Sequence, residues 1–232
     1  MKKILLAAGI TALGLLSSSA AHAQITLDFA ANTRATLLFH GATKSSLPSF
    51  QFTTGADGYQ FHISDEQGGT GVALGLDGSI IPSLGTVFTY GPIVTVIPGV
   101  LQTAAVTPTG IFAISDGTGN LTGTVDLGTI TTAVNSFGGI NTSLNVNLTD
   151  LSYSGTNADL KELVSDQPGT LDVSFQFATP ENLTTLAGLS SFVTSFSGTV
   201  EEVPEPASWA MLLVGCGMLG LLGRRRFLRA IR

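Results

Sequence analysis

Histidine and carboxylates come together once in this chain, in His62-Ile63-Ser64-Asp65-Glu66. A histidine beside two acids can act as a general base or as part of a metal site. No His-x-x-x-His spacing accompanies it, and the plainer reading is a solvent-facing strand end that runs into a polar turn. Asp116-Gly117-Thr118-Gly119-Asn120 sets the oxygen-bearing side chains of Asp116, Thr118 and Asn120 at alternate positions, as calcium loops do. It lacks the acidic ligand that closes an EF-hand, so a hairpin turn competes with that reading. Asp159 with Glu162 and Asp65 with Glu66 are the acid pairs available for sugar hydrolysis, a mechanism that depends on their separation across a cleft. Serines are plentiful, but no Gly-x-Ser-x-Gly elbow positions one as a nucleophile. Phe50, Phe52, Phe88, Tyr90 and Tyr153 can stack on sugar rings or fill a core, and the only tryptophan, Trp209, lies near the end of the chain. The glycosylation sequons at Asn120, Asn141, Asn147 and Asn182 are what chance supplies in a chain rich in Asn and Thr.

Whatever these residues do, the elements that hold them must fit one domain, which is what 232 residues accommodate with short appendages. Charged residues are only 11% of the chain, and they are unevenly spread. Between residues 24 and 202 there are three bases, Arg34, Lys44 and Lys161, against 15 acids, a net charge of -12. A segment so acidic repels phosphate backbones, which argues against a nucleic-acid partner. The sole cysteine, Cys216, falls outside that segment, so the body has no thiol for a disulfide, a zinc site or nucleophilic attack. No cofactor is implied.

Residues 24–202 read as strands with one apolar face. Ile25-Leu27-Phe29, Tyr59-Phe61-Ile63, Leu144-Val146-Leu148 and Leu171-Val173-Phe175-Phe177 alternate with polar neighbours. Turn signals separate such runs at Ala56-Asp57-Gly58, Gln67-Gly68-Gly69, Leu76-Asp77-Gly78, 116–120 and Phe137-Gly138-Gly139. Two short helices are expected, at 158–165 before Pro168 and at 180–188, the second with Thr179 as cap, Pro180 at the first position, and Leu183 and Leu186 on one face. The expected fold is all-β, an antiparallel, jelly-roll-like β-sandwich with these helices plugging an end.

The two ends read as addresses. Lys2 and Lys3, the apolar run from Ile4 to Leu16 and the small-residue site Ala21-His22-Ala23 form the three regions of a signal peptide spanning residues 1–23, with cleavage expected before Gln24. At residues 203–232, Pro204-Glu205-Pro206 is followed by Trp209-Ala210-Met211, a glycine-bearing apolar stretch and Arg224-Arg225-Arg226. Prolines hold an extended segment before a helix. From Ala207 to Gly223 is 17 residues, about 25 Å as a helix against a hydrocarbon core of about 30 Å. A single transmembrane helix of that length, weakened by Gly215, Gly217 and Gly220, suits a temporary anchor with its arginines on the cytoplasmic side.

Pro204-Glu205-Pro206-Ala207-Ser208-Trp209-Ala210-Met211, the apolar stretch and the arginine cluster resemble the PEP-CTERM sorting signal. The resemblance implies an exosortase, a membrane-embedded cysteine transpeptidase, that recognises the tail and cuts near Pro204 to Pro206. It further implies a Gram-negative host that makes exopolysaccharide and sorts such proteins to its surface, matrix or biofilm. Phrases such as Asn147-Leu148-Thr149-Asp150-Leu151-Ser152-Tyr153 and Ser197-Gly198-Thr199-Val200 also resemble the bodies of PEP-CTERM proteins. The expectation is therefore a structural or adhesive protein of the cell surface or matrix, not an enzyme, with signal peptidase and exosortase as processing partners and exopolysaccharide as a contact. A glycan- or calcium-dependent binding module and an envelope hydrolase are the alternatives.

Overall fold

A computed structural model describes residues 24–133, 137–142, 145–165, 168–179 and 181–203. These residues form fifteen strands and two short helices: β1 (Thr26–Ala31), β2 (Leu37–His40), β3 (Ser49–Phe52), β4 (Phe61–Gln67), β5 (Asp77–Pro82), β6 (Phe88–Tyr90), β7 (Val94–Ile97), β8 (Leu101–Thr107), β9 (Gly110–Ser115), β10 (Asn120–Val125), β11 (Thr129–Ala133), β12 (Phe137–Ile140), β13 (Leu148–Tyr153), α1 (Ala158–Ser165), β14 (Gly169–Gln176), α2 (Leu183–Gly188) and β15 (Phe192–Glu202). The expected all-β, antiparallel character is present, with two short helices. In place of two separate sheets, hydrogen-bonded pairing links all fifteen strands.

That pairing runs in two closed circuits that share β14 and β15. One passes from β15 through β1, β4, β5, β9, β10 and β13 to β14; the other passes from β15 through β2, β3, β6, β8, β11 and β12 to β14. The sharing is possible because β15 is long enough to carry two neighbours on one edge. Its Ser197–Glu201 stretch pairs with β1, and Phe192–Thr194 pairs with β2. β14 is divided likewise, with β12 along Val173–Gln176 and β13 at Gly169. Closure removes the unpaired edges of the strands within the circuits, while β7 lies outside both and pairs with β8 alone. α1 buries Leu160 and Leu163 and packs beside β13, while α2 buries Leu183 and Leu186 against β2 and β8, so each helix serves a different circuit.

The core is phenylalanine-rich. Phe29, Phe39, Phe50, Phe61, Phe88 and Phe112 are all fully buried, and Phe61 lies between Phe29 at 4.5 Å and Phe112 at 5.8 Å between ring centroids. Phe50, Phe52, Phe88 and Tyr90 are core residues, whereas Tyr153 lies at its margin. Two expected turns are strands for a reason tied to these rings. Gly78 stands directly across from Phe61, and Gly138 across from Phe175. A Cβ at Gly78 would come within 2.3 Å of the Phe61 ring, and one at Gly138 within 2.1 Å of the Phe175 ring. Gly198 stands in the same relation to Phe29. Here glycine is the residue on which a cross-strand phenylalanine lies flat, not a turn former.

Two expected alternations hold at Phe61-Ile63 and at Leu148 but depart just before them. β4 begins at Phe61, Tyr59 is exposed, and Gln60 is buried. Its amide accepts from Ile80 N at 2.5 Å and donates to Phe52 O at 3.0 Å, joining β5 to β3. β13 begins only at Leu148; Val146 is exposed and Asn147 buried. Asn147 accepts from Leu171 N at 2.7 Å and donates to Leu171 O at 2.9 Å. Its side chain thus fills the gap on the β14 edge between β12 and β13, supplying the partners that a strand backbone would otherwise provide. α1 has its expected span, but α2 is shorter than expected and its cap is Asn182, whose Oδ1 accepts from Thr185 N at 2.8 Å. Pro180 lies outside the described residues.

Candidate functional site

The two ends of the body are tied together at one place. Glu202, the last residue of β15, accepts the Ile25 N–H on its carboxylate at 3.2 Å, and its carbonyl accepts from the Gln24 side-chain amide at 2.5 Å. Val203 N donates to Pro168 O at 3.2 Å, which closes the ladder. Among the described residues the buried core runs from Ile25 to Val200, inside this junction. The expected leader residues Ala21 and Ala23 and the sorting residues Pro204, Glu205, Pro206, Trp209, Arg224, Arg225 and Arg226 lie outside the described residues, as does the expected C-terminal span. Among the described residues no helix is long and apolar enough to cross a membrane.

The histidine and carboxylates of 62–66 are dispersed to separate partners. His62 Nδ1 pairs with Asn32 Oδ1 at 2.7 Å, and Asn32 donates to Asp57 at 2.7 Å and to Asp77 at 3.1 Å. Asp65 accepts from the Glu66 N–H, while Glu66 itself turns to the loop that follows β4. Neither expected acid pair forms the notable contact; Glu66 meets Asp159 instead. Consecutive amides alternate between them: Thr70 and Val72 donate to Asp159, Gly71 and Ala73 to Glu66. Burial, reinforced by Asp159, pushes the Glu66 carboxyl up. Burial opposes ionisation of Asp159 too, but the Thr70 amide, the Glu66 side chain, the Thr70 hydroxyl and the Val72 amide together outweigh it and hold its carboxyl down. The two carboxyls are thus pushed in opposite directions, and the geometry of the pair clamps loop 68–75 onto α1.

At 116–120 the structure forms the β9–β10 hairpin turn. Asp116 Oδ1 accepts from Thr118 N at 2.8 Å and Gly119 N at 2.7 Å, and Oδ2 accepts from the Tyr153 and Thr118 hydroxyls. The Tyr153 hydroxyl, followed by these other donors, holds the Asp116 carboxyl well below the usual range. Both oxygens face donors, the arrangement of a capped turn; Asn120 is the first residue of β10. Among the described residues no three His, Cys, Asp or Glu side chains gather as a metal cluster does.

Sequence patterns did not point to one concavity of the body. A solvent-open groove of about 740 Å³ lies over the outer face of β14 and β15, where β1 ends at Ala31 and β2 has yet to begin. One row across it is Ser174, Ser197 and Ala30; the next is Phe137, Gln176 and Ser195. Ser174 and Ser197 share a hydrogen bond of 3.1 Å. Phe137, which reads as part of a turn, stands 50% exposed on the groove wall. Among the described residues that line it, none is charged. Along the same face the next row holds Asp172, Thr199 and Asp28, with Thr199 donating to Asp28 at 2.6 Å. Burial, with Glu201 nearby, pushes the Asp172 carboxyl up.

Comparison with curated proteins finds no match, and comparison with solved structures finds none. A family model does match: the PEP-CTERM protein-sorting motif, over residues 202–226. The match starts at Glu202, the last residue of β15. The chain therefore carries a PEP-CTERM protein-sorting motif, the signal that exosortase recognises, and the motif implies a protein sorted across the membrane to the cell exterior.

Proposed function

We propose that this is a structural or adhesive protein of the cell surface or extracellular matrix in an exopolysaccharide-producing Gram-negative bacterium, and that its β body is not a catalyst. The observation that carries the reading is the position of the motif. It begins at Glu202, where the last strand ends and the paired Gln24 lies alongside. Cleavage before Gln24 and near Pro204 to Pro206 leaves the ladder and core whole, as a cargo domain released from a transient inner-membrane anchor requires. The composition supports the same reading. A body with net charge -12 and no cysteine stays soluble and needs no oxidising step outside the cell.

Intact mass of the protein from the medium and membranes of the host, with and without exosortase, tests it. The expected species in the medium starts at Gln24, ends near Pro204 to Pro206, and appears only with the enzyme. A membrane species that keeps Arg232 under both conditions rules out sorting.

A further inference from the structure

We propose that the groove over β14 and β15 binds a segment of neutral polysaccharide, with Phe137 as the stacking platform and Ser174, Ser197 and Gln176 as the hydrogen-bonding floor. This rests on the extracellular placement proposed above and names the partner of the adhesive surface.

The chemistry of the groove selects the ligand class. Sugar rings present apolar C–H faces and a rim of hydroxyls, so their sites combine an exposed aromatic with groups that both donate and accept. Phe137, half exposed, provides the aromatic face. Ser174 and Ser197 spend one hydrogen bond on each other and retain one O–H and free lone pairs, and the Gln176 amide adds both functions one row along. Ala30 and Ala178 leave the space open. An apolar ligand would leave this floor unpaired, which is costly.

Charge decides the rest. The lining is neutral within a strongly acidic body, and Asp172 and Asp28 close one end of the face, so an anionic polymer is repelled where a neutral one is not. The groove is open to solvent, so the middle of a polymer can lie across it without presenting a chain end. Its size, about 740 Å³, falls within the range of small-molecule sites and suits a few sugar units. The floor belongs to two strands with a core of Phe175, Phe177 and Phe196 beneath, so it is formed before the ligand arrives.

The full chain, purified in a zwitterionic detergent without sugar headgroups, is titrated with cellohexaose, laminarihexaose, maltohexaose and hexagalacturonate by calorimetry and amide NMR. At least one neutral hexasaccharide is expected to bind saturably and shift amides of β12, β14 and β15, with hexagalacturonate inert. Phe137→Ala weakens binding by about tenfold, whereas Phe137→Tyr and Ser197→Thr retain it. Ser197→Val weakens it without lowering the melting temperature, since a valine is tolerated at an exposed strand position. Absence of binding to all three neutral probes, equal binding of hexagalacturonate, or unchanged binding by Phe137→Ala overturns the proposal. The assay uses the unprocessed chain, so failure of sorting leaves its result standing, and failure of binding leaves the sorting test untouched.

Discussion

Gly198→Ala probes the packing that lets β15 serve both circuits. An added Cβ would stand 2.2 Å from Asp172 O and 2.4 Å from Phe29 Cζ, both far inside any real carbon contact. Phe29 cannot swing away, because Phe61 lies 4.5 Å from it between centroids. The Asp172 carbonyl cannot move without dragging the β14 ladder. Overpacking in such sites costs about 1–3 kcal/mol; alanine returns about 0.4–1 kcal/mol by restricting the unfolded chain. With backbone and ring both obstructing, the upper part of the range applies, a net loss of about 2 kcal/mol. For a domain of this size that lowers Tm by about 4–8 °C. Urea and thermal unfolding, followed by far-UV circular dichroism, measure it. Gly138→Ala should cost less, because the three atoms nearest its added Cβ all belong to the Phe175 ring and none is backbone, and Phe175→Leu should absorb much of that cost in a double-mutant cycle. A Gly198→Ala protein that melts within about 1 °C of the parent refutes the account of these glycines.

Tyr90 is 1% exposed, and its hydroxyl has no hydrogen-bond partner within the described structure. Tyr90→Phe is therefore expected to stabilise the protein by about 1 kcal/mol in urea unfolding, and a loss of stability would mean that the hydroxyl has a partner. Asp172 has a raised folded-state pKa, so its contribution is fully present below its unfolded value and is lost as pH rises through the folded one. Asp172→Asn should thus raise Tm at pH 7 and leave it unchanged at pH 3; the reverse pattern contradicts the assignment. Asp116 has the opposite sign: its contribution is present above the unfolded pKa and is lost as pH falls through the lower folded value. In Tyr153→Phe the Asp116 carboxyl, followed by carbon NMR, should titrate at higher pH than in the parent, and an unmoved midpoint excludes the tyrosine as the main cause.

Much of the architecture was legible in the sequence because it is local. Alternation in Ile25-Leu27-Phe29 and in Leu171-Val173-Phe175 sets which face a strand buries, whatever its neighbours are. The span of α1 and the turn at Asp116 follow from adjacent residues in the same way. The tail motif is linear, and it was readable before any fold was known. Other features depended on residues far apart. Gly78 and Gly138 carry a turn signal in one dimension, and only the phenylalanine on the facing strand makes them strand residues. Gln60 and Asn147 are polar and read as outward, yet each is buried because a neighbouring strand has backbone groups without partners there. Glu66 and Asp159 stand 93 positions apart, and the groove draws its rows from β1, β12, β14 and β15. The sorting motif and the β character are written in runs of neighbouring residues, so a linear reading recovers both. Which side chains meet, and hence where a partner can bind, was decided only when β14 and β15 joined the two circuits, because contact between distant residues is a property of the closed fold.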